Sequence, residues 1–274
     1  MPSILLPSHL KLHYLDHNPS GAQTVLLLHG LGVNSASWQL QLPALAQAGF
    51  RALVPDVRGF GASQHPAGNT GLPQPGVGGL AADIVHLLDA IPRQNPRVHL
   101  VGISMGGVLA LQIALDRPEL VEKLVLVNTF ARLRPRSPRV WAFFLLRFVL
   151  AHSLGISVQA RAAAGRLFPQ PEQEALRQAF IDQCLQADPR SYRAAMRSLA
   201  RFDARARLAE IQAPTLVVTG ENDATVPPEI QAALARGIPG ARQEIIPGAG
   251  HAVTAERPSQ FNQILIHFLS CEQA

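Results

Sequence analysis

The chain has 274 residues and a mass of 29.5 kDa, room for one large domain or two small ones. Hydrophobic residues make up 47% and charged residues 16%, enough to bury a sizeable core, which excludes disorder throughout. The formal net charge of +5 is unevenly spread: residues 131–207 hold 14 arginines against 5 acidic residues, while the flanks are mildly acidic.

Two cysteines, Cys184 and Cys271, cannot staple a chain of this length, and no Cys-x-x-Cys or Cys/His cluster suggests zinc. The start, MPSILLPSHLK, lacks a cationic opening and has only Ile4 to Leu6 as an apolar run, so no secretory signal is expected. The most apolar stretch, Val140 to Leu150, is interrupted by Arg147 and falls short of the ~18 residues of a membrane span. A soluble cytoplasmic protein is the expectation.

In chain order, Lys11 to Leu15 alternates and predicts an antiparallel strand at a sheet edge. His9, His13 and His17 share its parity, and a solvated strand face explains them better than a metal site, since no carboxylate or cysteine completes a ligand set. Short β-branched runs follow at Val25–Leu28, Ala52–Val54, Val98–Val101, Leu124–Val127, Thr215–Val218 and Gln243–Ile246. They read as central strands of a parallel sheet covered on both faces. Helical patterns separate them at Ala36–Ala48, Leu80–Ala90, Met105–Asp116 and Glu229–Arg236, and a last helix begins near Pro258. This alternation predicts a doubly wound α/β domain. Residues Ala62 to Gly79 are rich in Gly and Pro and read as a long loop. From Ala131 to Arg207 the alternation stops, and Pro135, Pro138, Pro169, Pro171 and Pro189 divide an Ala-, Arg- and Leu-rich stretch into short helices. The predicted organisation is a core of residues 1–130 and 208–274 with a helical cap, 131–207, inserted between its halves.

The sharpest chemical feature is Gly102-Ile-Ser104-Met-Gly106, between a predicted strand and a predicted helix. A serine on so sharp a turn sits at strained backbone angles, and glycines two residues to either side avoid collision. The helix N-terminus behind it adds unpaired N–H groups and partial positive charge near a developing oxyanion. A serine hydroxyl needs a base to become nucleophilic, and the base needs an orienting carboxylate. His251 in Gly248-Ala-Gly-His251 and Asp223 in Gly220-Glu-Asn-Asp223 both follow strand ends, where open α/β sheets place their ligand crevice. Glu221, in the same loop, is the alternative acid, and Asn128 and Thr129 leave no acid after the strand ending at Val127. His29-Gly-Leu31-Gly32 follows the Val25 strand, so Leu31 N–H and Met105 N–H are the candidate oxyanion donors.

Together HGLG, Asp56-Val-Arg58-Gly59-Phe-Gly61, GISMGG, Gly-Glu-Asn-Asp223 and GAGH resemble the α/β-hydrolase superfamily, in family order, over nearly all of the chain outside the cap. The resemblance implies a mostly parallel eight-stranded sheet with only the second strand antiparallel, and no cofactor. It implies that Asp56, Arg58, Gly59 and Gly61 brace the loop beside the site. Serine at the elbow argues against the dehalogenases and epoxide hydrolases of this fold, which carry aspartate there. The closest likeness is to small carboxylesterases and 3-oxoadipate enol-lactonases. The expectation is a serine carboxylesterase acting through an acyl-serine intermediate. Lactonase, C–C bond hydrolase and a slow hydrolase serving as a ligand receptor are the alternatives.

In the cap, Val140 to Leu150 carries Trp141, Phe143, Phe144 and Phe148; Trp141, Phe144 and Phe148 are the candidate pocket residues, roofing an apolar acyl site. With Arg132, Arg134, Arg136 and Arg139 in front, the same stretch could instead touch an anionic membrane or steer anionic substrates. No nucleic-acid recognition motif accompanies the arginines. The expected partner is a small ester, with the chain acting as monomer or homodimer.

Overall fold

The structure, a computed structural model, describes residues 1–7, 10–63, 76–133, 142 and 155–271. Its sheet has eight strands: β1 Ser3–Leu5, β2 Lys11–His17, β3 Gln23–Leu28, β4 Phe50–Pro55, β5 Val98–Ile103, β6 Val121–Val127, β7 Thr215–Gly220 and β8 Arg242–Ile246. Their order is β1-β2-β4-β3-β5-β6-β7-β8. β2 runs antiparallel to both neighbours and every other pairing is parallel.

The continuous apolar runs reflect burial on both faces. Val25 and Leu27 of β3 face one layer while Leu26 and Leu28 face the other, and Val125 and Val127 of β6 alternate in the same way with Leu124 and Leu126. On one side the sheet packs on α2 (Val77–Ala90), α3 (Met105–Asp116) and α7 (Pro228–Gly237). On the other, Leu45 of α1 (Leu42–Gln47) and Phe261 and Leu265 of α9 (Pro258–Ser270) close the core. Between β6 and β7 the described residues form α4 (Ile156–Leu167), α5 (Glu174–Leu185) and α6 (Pro189–Arg201). A single turn, α8 (Val253–Glu256), precedes α9.

Three sequence expectations need correction. The strand predicted at the edge is the second strand in, because β1 pairs outside it with Ile4 opposite Leu12. The helix predicted over Ala36–Ala48 is a 3-10 turn, Ser35–Trp38, followed by the short α1. Pro43 explains the break: it has no N–H and its ring collides with the carbonyl four residues earlier, so it is accommodated only in a first turn. The loop predicted to end at Gly79 gives way to α2 at Val77, whose N–H is received by Ser198 Oγ of α6 at 2.7 Å, a long-range cap no local pattern reveals.

Residues 64–75 of that loop, His9, Arg134, Arg136 and Arg139 lie outside the described residues. Among the described residues no group of three or more His, Cys, Asp or Glu could hold a metal ion. No described helix is long and apolar enough to cross a membrane.

Candidate active site

Ser104 stands between β5 and α3 with φ +54° and ψ −115°, a conformation costly to any residue with a Cβ. Its N–H donates to Val127 O at 2.9 Å, and Thr129 Oγ1 donates to its carbonyl at 2.7 Å. Two glycines of the surrounding motif are there for space. A Cβ on Gly102 would lie 2.2 Å from Gly106 O, and one on Gly106 would lie 2.0 Å from Leu28 O. The turn is therefore clamped between β3 and β6, with the serine at its tip.

His251 follows β8, and its Nδ1 lies 2.8 Å from Asp223 Oδ2. The Asp223 carboxylate is fully buried, and its charge is met by Thr225 N–H at 2.8 Å, Val226 N–H at 2.9 Å and Gln231 Nε2 at 3.2 Å. Glu221, the rival acid, is engaged elsewhere: its Oε2 accepts the Gly248 N–H at 2.8 Å. The geometry pairs the histidine with Asp223.

Opposite Ser104, the HGLG turn is pinned by its histidine. Val57 N–H donates to His29 Nε2 at 2.9 Å, which puts the ring proton on Nδ1, 2.8 Å from Gly30 O. Full burial lowers the His29 pKa and keeps the ring neutral, as an acceptor at Nε2 must be. A Cβ on Gly30 would lie 3.7 Å from Ser104 Cβ, so backbone comes close to the serine here. Leu31 stands next in this turn and Met105 is the first residue of α3, whose N–H has no partner within the helix.

The loop after β4 is braced as the resemblance implied. Asp56 accepts Ser35 N–H and Ala62 N–H, both at 2.8 Å, while Arg58 grips Asp83 of α2.

Ser104, His251 and Leu31 line one cavity of about 430 Å³. Its other walls are mostly apolar, with Val33, Phe130, Phe180, Met196 and Leu199 prominent. Helices α5 and α6 reach the HGLG turn directly: a Cβ on Gly32 would sit 2.8 Å from Cys184 Sγ and 3.0 Å from Tyr192. Trp141, Phe144 and Phe148, the predicted pocket aromatics, lie outside the described residues.

Two residues at the site escaped the sequence reading. Asn128, noted only as a missing acid, is fully buried at φ +44° and ties three strands' ends together. Its Nδ2 donates to Gly250 O at 3.0 Å and His251 O at 2.8 Å, and its Oδ1 accepts Gly220 N–H at 2.8 Å. Glu256 accepts the N–H of Gly250 and that of Ala252, each at 2.9 Å. The available signal was an asparagine, tolerant of left-handed backbone, immediately after a buried strand.

Residues 25–264 match the model of the "Alpha/beta hydrolase family". The chain belongs to the alpha/beta hydrolase family. Over 267 residues it is 37% identical to the "Putative carbamate hydrolase RutD" of Variovorax paradoxus, covering 95% of this chain and 97% of that one. A protein of the same name from Rhizobium rhizogenes is 33% identical, covering 95% and 97%. Among solved structures, the enol-lactonase from Burkholderia xenovorans LB400 has a TM-score of 0.86 at 28% identity, covering 98% of this chain and 100% of that one. The thermophilic esterase from Thermogutta terrifontis has a TM-score of 0.83 at 28% identity, covering 98% and 97%. As a member of this family, the chain is a hydrolase.

Proposed function

We propose that this hydrolase cleaves carboxylic esters of small to medium apolar acids through an acyl-serine intermediate. The observation that carries the reading is the shared cavity: Ser104 and the Asp223-bound His251 open onto an apolar space of about 430 Å³. Ser104 Oγ attacks the ester carbonyl carbon while His251 Nε2 takes the hydroxyl proton. Asp223 holds the imidazole tautomer and stabilises the imidazolium. Leu31 and Met105 N–H groups receive the oxyanion, aided by the N-terminus of α3. The C–O bond then breaks, and His251 returns the proton to the departing alcohol. Water, deprotonated by His251, attacks the acyl-serine and releases the acid.

Identity of 37% to a protein named for carbamates favours a second reading, in which nitrogen replaces one carbonyl substituent. The lining speaks for esters, because a small polar carbamate would leave most of an apolar cavity unfilled. The test is turnover of p-nitrophenyl esters of increasing acyl length and of matched carbamates by wild type and Ser104→Ala. Ester turnover that the variant loses, with an optimum beyond acetate, supports the ester reading. Faster turnover of the carbamates would replace it with the second.

A further inference from the structure

We propose that a polar groove beside His251 is the leaving-group subsite of this enzyme and that it accepts hydroxylated alcohols; the inference rests on the ester reading above. His251 stands in the walls of two cavities. The larger contains Ser104 and Leu31. The smaller, of about 180 Å³, contains neither and lies between the end of α4 and the loops after β7 and β8. Arg166, Leu167 and Thr225 stand in the walls of both, so the two spaces adjoin.

The chemistry assigns the two sides. In acyl transfer the acyl carbon stays bonded to Ser104 and the oxyanion stays against its N–H donors. The leaving oxygen must sit on His251, which supplies its proton. Atoms beyond that oxygen therefore extend past His251, away from Ser104 and Leu31. That is the direction in which the smaller cavity lies.

Its lining differs in kind from the large cavity. Gln170, Gln173, Asn222 and Glu256 stand beside Leu167 where the large cavity has many Leu, Phe and Met side chains. Both Glu256 oxygens accept backbone N–H groups at 2.9 Å, and Arg166 Nη2 donates to Ala224 O at 2.9 Å. With one carboxylate, Glu256, and one guanidinium, Arg166, in its walls, the groove favours neither a free cation nor a free anion. Gln173 Oε1 accepts the Gln170 N–H at 3.1 Å and its Nε2 donates to Glu256 Oε2 at 3.5 Å, which leaves one amide N–H to donate, and Asn222 offers both donor and acceptor. Hydroxyl groups match this inventory, whereas an alkyl chain would desolvate the amides without replacing their partners. The substrate class is an ester with an apolar acyl part and a hydroxylated alcohol part.

The experiment is an internal competition between the 1-glyceryl and n-propyl esters of one apolar acid, which share an acyl-enzyme and a three-carbon alcohol skeleton. With the two esters at equal concentration, the initial ratio of glycerol to propanol released equals the ratio of the two kcat/KM values, so any general loss of activity in a variant cancels. Wild type should favour the glyceryl ester about tenfold, the scale of one well-placed hydrogen bond. Gln173→Leu with Asn222→Leu should bring the ratio close to one. A wild-type ratio near one, or a preference that survives both substitutions, overturns the subsite while leaving the ester reading intact. If neither ester is cleaved although a fluorophosphonate labels Ser104, the ester reading itself fails and the subsite with it.

Discussion

Asn128 and Glu256 hold opposite polar groups of the same stretch of backbone: the asparagine amide takes the carbonyls of Gly250 and His251, and the carboxylate takes the N–H groups of Gly250 and Ala252. The histidine thus rides on a loop whose polar groups are satisfied from two directions. The same asparagine accepts Gly220 N–H at the end of β7, the strand that leads to Asp223. One side chain fixes the loop of His251 relative to the end of the strand before Asp223.

Asn128→Ala should therefore cost both stability and turnover. It removes three hydrogen bonds from a fully buried site and places a Cβ residue without a local polar side chain at φ +44°. About 3 kcal/mol in denaturant unfolding is expected. Turnover should fall about tenfold or more. Asn128→Asp keeps the acceptor for Gly220 but turns a carboxylate oxygen toward the carbonyls of Gly250 and His251 in a fully buried site, so it should cost at least as much as Asn128→Ala.

The rival acids can be separated by isosteric amides. Asp223→Asn should lower kcat by about 10³ or more, because the amide no longer holds the required tautomer or balances the imidazolium. Glu221→Gln should stay within a few-fold of wild type, since a carboxamide oxygen can still accept the Gly248 N–H. Steady-state kinetics on one ester reads both, and the reverse ranking would give the role to Glu221.

Ser104 offers a trade of function for stability. Its φ of +54° with ψ −115° is easy for glycine alone, so Ser104→Gly releases strain of roughly 1–3 kcal/mol, partly offset by the extra freedom of an unfolded glycine. A net gain of about 1 kcal/mol in urea unfolding is expected, with ester turnover lost. Ser104→Ala should lose turnover without that gain.

Acid should weaken the fold through buried histidines. Burial, with smaller contributions from Lys123 and Arg97, pushes the His99 pKa down to about 4, and burial lowers that of His29. Below pH 6.5 the unfolded chain binds protons that the native state refuses, so stability falls as pH drops from about 6.5 toward 4. His99 alone contributes about 3 kcal/mol across that window, on the order-of-magnitude scale of 1.4 kcal/mol per unit. His99→Leu should flatten the urea midpoint between pH 7 and 4.5, and an unchanged slope would refute the assignment.

Much of the molecule was legible in one dimension because its signals are local. Apolar runs of three or four residues specify strands buried on both faces. Gly102 and Gly106 around Ser104 specify a turn that only missing Cβ atoms allow. Those patterns also put Ser104, Asp223 and His251 at strand ends, on the side where an open parallel sheet leaves a crevice. What required the tertiary structure was every choice among chemically equivalent partners. Asp223 and Glu221 stand two residues apart in one loop, and only folding shows one carboxylate on His251 and the other on Gly248. Asn128 reads as an absent acid until the chain brings Gly220, Gly250 and His251 around it. The start of α2 depends on Ser198, far away in sequence. Composition and periodicity determine which segments bury and how they repeat, whereas hydrogen-bond partners are selected by distance and direction in space, which residue order does not encode locally.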